Sequence, residues 1–154
     1  MLRLPSALAE PRYPLRAIAF GWLCAFPPSI ALAALAAWLF PGAPGPQFDV
    51  SGPMTIGLLV IFAPFVETLI MATVLEVLVR LVPPAAAIAV SSVGWGIAHS
   101  LGAPTWGLVI WWPFLIFSTL YVTWRQRSVW SGVGIAFCVH ALQNLGPALL
   151  LLRS

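Results

Sequence analysis

The chain has 154 residues, of which 61% are hydrophobic and only 7% charged, with mean hydropathy +1.00 and a formal net charge of +3. A water-soluble domain carries about 25% charged residues, so this composition describes an integral membrane protein and leaves no stretch for a separate soluble domain. The positive charge comes entirely from arginines, and no basic cluster with interleaved aromatics lies outside the apolar runs, which excludes nucleic acid as a partner.

A membrane-crossing helix needs about 20 mostly apolar residues, and five stretches qualify in chain order. The first runs from about Ala17 to Phe40. Arg3, Arg12 and Arg16 precede it, and Ala31-Leu32-Ala33 resembles a signal-peptide cleavage site, but the apolar run continues far enough to span, so a retained helix is expected, bent at Pro27-Pro28. A turn rich in proline and glycine follows, PGAPGPQFDVSGP. The second helix is expected over about 53–80 and the third over about 83–101. The fourth is expected over about 104–124 and the fifth over about 129–152. Pro53, Pro83 and Pro104 stand at expected starts, where a missing N–H costs nothing. Gly94, Gly96, Gly132 and Gly134 predict close helix packing. Most of the eight tryptophans, among them Trp106, Trp124 and Trp130, fall near helix ends as an aromatic belt. Cys24 and Cys138 lie in apolar runs on separate helices and read as small buried hydrophobes.

The arginines orient the bundle, because positive charge accumulates in cytoplasmic loops. With the N-terminus inside, Arg3, Arg12, Arg16, Arg80, Arg125 and Arg127 all fall on the cytoplasmic side, while Asp49 and Arg153 fall outside. Five spans then put the C-terminus outside.

Against that frame the ionisable residues within the spans stand out. Glu67 precedes Arg80 by 13 residues, His140 follows Arg127 by 13, and His99 follows Pro83 by 16. At 1.5 Å per residue they lie about 20, 20 and 24 Å from the inner boundary. An ionisable group at bilayer depth is costly unless it is paired or faces a polar cavity. Three at similar depth on three helices predict one shared pocket, and Asn144 joins it, one turn after His140 on the same face.

These residue types suit hydrolysis. A carboxylate in a low-dielectric site is a stronger base near neutral pH, which fits Glu67, and an imidazole beside it, His99, can orient the same water. His140 and Asn144 can donate to a developing oxyanion. Glu76 precedes Arg80 by four residues and is expected to pair with it.

Glu67 with its neighbours, Trp95-x-x-x-His99 and His140-x-x-x-Asn144 resemble the three ordered motifs of the CAAX-protease and bacteriocin-processing family of glutamic intramembrane endopeptidases, EExxxR, FxxxH and HxxxN or HxxxD. The resemblance covers roughly residues 53 to 152. It implies that Glu67 and His99 activate water while His140 and Asn144 stabilise the oxyanion, with Trp95 in place of the motif phenylalanine. Thr68 stands where the family has its second glutamate and Ala72 where it has its arginine. Glu67 is then expected to be held by His99 and Thr68 instead. The resemblance also implies a membrane-anchored protein or peptide substrate and residence in a bacterial inner membrane.

The expected architecture is an all-α polytopic bundle of about five spans, a single integral membrane domain over 1–154. Its second, third and fifth helices converge, and its first is peripheral. No cofactor or metal is expected. HExxH is missing and so is a GxSG-type serine element, although Glu67, His99 and His140 could in principle bind zinc. Two other classes fit the same residues: an inactive relative acting as a membrane binding or immunity protein, and a small proton-coupled carrier using Glu67. No inverted repeat supports the carrier.

Overall fold

The computed structural model describes residues 5–48 and 52–152, so Arg3, Asp49 and Arg153 lie outside the described residues. All regular structure among them is helical: α1 Ser6–Ala9, α2 Pro14–Leu39, α3 Pro53–Ile56, α4 Ala63–Leu81, α5 Pro84–Ser100, α6 Gly107–Trp124 and α7 Val129–Leu151. A π-helical stretch, Gly57–Phe62, joins α3 to α4. Four spans are long and apolar enough to cross a bilayer: Pro14–Leu39, Met54–Leu81, Gly107–Trp124 and Val129–Leu151. The remaining long helix, α5, has 17 residues. That is about 25 Å, at the short end of what reaches across hydrocarbon.

Proline explains several local features. Pro14 and Pro84 open their helices, where no N–H is needed. Pro28 inside α2 cannot donate to the carbonyl of Cys24, and the Trp112 indole N–H of α6 takes that place at 2.8 Å. In the bulge before α4, the Ala63 N–H reaches back to the carbonyl of Leu58 rather than Leu59, and Pro64 offers no N–H in its stead. The Leu59 carbonyl is therefore left without a helical donor. The fourth long helix begins at Gly107 rather than near Pro104, because 101–106 make successive turns, with the Gly102 and Ala103 N–H groups both on the His99 carbonyl. Those turns carry Trp106 back over His99.

The hub of the bundle is α6. It packs against α2, α5 and α7, and buries side chains on every side, among them Phe114, Phe117, Leu120, Tyr121 and Trp124. In lipid, helices associate by close packing rather than by exclusion from water, which favours small residues at the contacts. A methyl group on Gly107 would collide with the Gly96 carbonyl and the Ser100 hydroxyl, so α5 and α6 meet backbone to backbone there. Gly132 likewise lies against the Tyr121 carbonyl, 2.9 Å from where its Cβ would stand. Gly94 and Gly134 have nothing within 4 Å, so the expected close packing holds for Gly96 and Gly132 only.

Two expectations need correction. The first long helix is not peripheral: α2 packs on both α6 and α7, with Gly21 beneath Leu120 and Val139. The second, third and fifth long helices do converge, α4 packing directly on both α5 and α7, while α6 fills the space between α5 and α7. Glu76 does not pair with Arg80. It receives the Arg125 guanidinium at 2.7 and 3.1 Å and the Tyr121 hydroxyl at 2.8 Å, clamping the ends of α4 and α6 together. An adjacent link, the Thr123 hydroxyl on the Leu8 carbonyl at 2.8 Å, fastens α1 to this end of the bundle. Arg80, Arg125 and Arg127 therefore gather at one end with the N-terminal segment, as a single arginine-rich face requires.

Candidate active site

Glu67 lies one turn into α4, just past the bulge. His99 lies near the end of α5, and His140 and Asn144 lie on consecutive turns of α7. The bundle brings these groups together. Glu67 Oε2 stands 3.6 Å from His140 Nε2 and 3.9 Å from His99 Nε2. Both separations are longer than a direct hydrogen bond. Among the described residues no arginine reaches Glu67, whose ion-pair neighbours are these two imidazoles.

Each imidazole is fixed from behind. His99 Nδ1 stands 2.9 Å from the Trp95 carbonyl, and a carbonyl only accepts, so Nδ1 carries the proton and a neutral ring turns the Nε2 lone pair toward Glu67. The Trp95 ring stacks on Phe114, centroids 4.4 Å apart, and Trp106 stands edge-on to His99 at 4.7 Å. His140 is 3% exposed, stacked on Phe117 at 4.6 Å and met edge-on by Phe114 at 5.2 Å. The buried Thr68 hydroxyl stands 3.4 Å from His140 Nδ1, so Thr68 supports His140 and not, as expected, Glu67. Ala72, one turn on, is buried in the apolar core at 5% exposure, so the arginine position of the resembling motif is occupied by packing.

Asn144 Nδ2 donates to the Leu59 carbonyl at 3.0 Å, the acceptor freed by the bulge. An amide nitrogen carries two hydrogens; this bond uses one and sets the direction of the other.

Glu67, His99, His140 and Asn144 line one cavity of about 470 Å³. Phe26, Ser29, Ile30 and Ala33 of α2 form one wall and Pro113, Phe114 and Phe117 of α6 another, while Ala43, Gly45, Pro46 and Phe48 of the loop after α2 also line it. Phe48 packs edge-on to Trp106 at 5.7 Å. Trp111 and Trp112 do not line it. Among the described residues, no group of three His, Cys, Asp or Glu side chains is arranged to hold a metal ion. Reading by residue type overlooked Phe114, Phe117, the Leu59 carbonyl and Gln143, which also lines the cavity. The spacing of Phe114 and Phe117, three apart and so on one face of a helix, is the available signal for the first two.

No curated protein and no solved structure matches the chain. Residues 49–146, well over half of the chain, match the family model described as "Type II CAAX prenyl endopeptidase Rce1-like". The matched range contains Glu67, Trp95, His99, His140 and Asn144, and helices long and apolar enough to cross a bilayer surround them. The chain is thus an integral membrane protein that belongs to the type II CAAX prenyl endopeptidase Rce1-like family.

Proposed function

We propose that the chain is an intramembrane endopeptidase of the glutamic type, a single integral membrane domain that cleaves a membrane-anchored protein or peptide in a bacterial inner membrane. The observation that carries this reading is Glu67 Oε2 at 3.6 and 3.9 Å from the two Nε2 atoms, on the wall of a mostly apolar cavity. That spacing suits three groups that share a water rather than each other. Glu67 takes a proton from the water as its oxygen attacks the scissile carbonyl, and His99 Nε2 accepts a hydrogen bond from the same water. The oxyanion is met by the second Asn144 N–H and by His140, whose Nε2 carries its proton when the Thr68 hydroxyl donates to Nδ1. The proton held by Glu67 then passes to the leaving nitrogen as the C–N bond breaks, giving a carboxylic acid and an amine.

The test is cleavage of anchored peptides in vesicles by the purified chain, read as new termini by mass spectrometry, with and without EDTA. Cleavage that survives EDTA and is lost in Glu67→Gln supports the reading. Activity lost to EDTA and restored by zinc replaces it with a metal mechanism. Binding of such peptides without any cleavage favours an inactive relative, a reading motivated by Thr68 and Ala72 in the first motif.

A further inference from the structure

Gln143 shares the cavity face of α7 with His140 and Asn144, yet no step of the proposed reaction uses it. It is only 9% exposed, and its Oε1 is buried without a hydrogen-bond partner. The neighbouring polar groups of α7 have partners or a place in that reaction: His140 has the Thr68 hydroxyl behind it and Glu67 at 3.6 Å in front, and Asn144 donates to the Leu59 carbonyl. A buried amide oxygen left unpaired costs about 1–3 kcal/mol, and this one belongs to a residue that lines the cavity, where a bound chain could pair with it.

The backbone points the same way. Pro147 stands four residues after Gln143 inside α7 and has no N–H, so the Gln143 carbonyl loses its helical donor. Pro113 does the same to Val109 inside α6, and Val109 also lines the cavity. Val109 and Gln143, on two helices packed against each other, both line the cavity, and each carbonyl lacks its regular helical donor. An acyl chain could satisfy none of them. A peptide carries an N–H at each residue, and inside the bilayer those groups have no water to turn to.

We propose that Gln143 is a substrate-positioning residue whose side-chain carbonyl accepts a backbone N–H of the peptide bound beside Glu67. The assignment rests on the endopeptidase reading. It makes Gln143 a register residue: its bond fixes which peptide unit lies over the Glu67 carboxylate, and it acts on backbone rather than side-chain identity.

The experiment uses the purified chain in vesicles and synthetic peptides with one apolar anchor of about 20 residues and a randomised polar flank. A cleaved member is remade as a depsipeptide series in which one non-scissile backbone N–H at a time becomes an ester oxygen. The wild type should lose about tenfold in kcat/KM at one position, the worth of one hydrogen bond. Gln143→Met and Gln143→Leu should be about tenfold weaker on the parent peptide, chiefly in KM, and should lose nothing further at that one position. Both should melt no lower than the wild type, because they remove an unpaired buried amide. An unchanged ester profile in both variants overturns the proposal, as does wild-type kcat/KM in them. A lower melting temperature in both would place the amide's partner inside the protein and also overturn it. Cleavage with an unchanged profile sinks this assignment alone, whereas no cleavage of any peptide by the wild type sinks the endopeptidase reading with it.

Discussion

Asn144 on the last long helix donates to the Leu59 carbonyl at 3.0 Å, a carbonyl that is free because the second span opens into a π turn ahead of Pro64. A defect in one helix thus aims an amide on another, 85 residues away in sequence. π-turns inside helices often occur at functional sites, and here the irregularity has a specific use: one Asn144 hydrogen is held, which directs the second.

Replacing Pro64 tests that link. In Pro64→Ala an N–H returns, the span can wind as a regular α-helix, and Leu59 regains a helical partner. Melting temperature should rise or hold, while cleavage falls about tenfold or more as the Asn144 amide loses its anchor. Asn144→Ala removes the donor itself and should cost about 10²–10³ in kcat. Equal activity in Pro64→Ala and wild type, measured side by side in vesicles, would detach the bulge from the chemistry.

Glu67→Gln keeps the shape of the side chain but cannot take a proton. Cleavage should drop by about 10²–10⁴, the worth of a general base, with the helical circular dichroism spectrum unchanged. His99→Ala should be comparably severe. Full turnover in Glu67→Gln would remove Glu67 from the mechanism.

Thr68→Val is nearly isosteric and deletes the hydroxyl 3.4 Å from His140 Nδ1. A single neutral hydrogen bond is worth about 1 kcal/mol, so activity should fall about tenfold or less, through kcat and not KM. A complete loss would show that the hydroxyl contacts the reacting groups directly.

Gly107→Ala should be among the most damaging small substitutions in the chain. Its methyl group has backbone, the Gly96 carbonyl, in its way, and backbone cannot rotate aside. Overpacking of this kind costs about 1–3 kcal/mol or more, which should read as a clear fall in melting temperature in detergent. Gly134→Ala, with nothing within 4 Å, serves as the control and should melt like the wild type.

The arginine-rich end formed by Arg80, Arg125 and Arg127 should face the cytoplasm. Reporter fusions at Arg80 and Arg127 are expected to read inside, and fusions at Gly45 and Ser154 outside. An inside signal at Ser154 would reduce the spans to an even number and take α5 out of the set that crosses.

Much of this protein is legible along one dimension. Spans follow from runs of apolar residues matched to bilayer thickness, arginine placement predicts the orientation, and the cost of an ionisable group at depth singles out Glu67, His99 and His140 as candidate site residues. What the tertiary structure decided is which helix face meets which. A span that is apolar all round gives no periodic signal for its rotation, so the sequence could not show that α6 is the hub, that α2 walls the cavity, or that Gly96 and not Gly94 is the contact. Partners across helices were equally hidden. The i, i+4 spacing of Glu76 and Arg80 suggested a local pair, but Arg125 and Tyr121 approach Glu76 from another helix and bind it in better geometry. Thr68 sits beside Glu67 in sequence yet points with its own face toward His140. Adjacent residues on a helix diverge by about 100°, so nearness along the chain says little about nearness in the site.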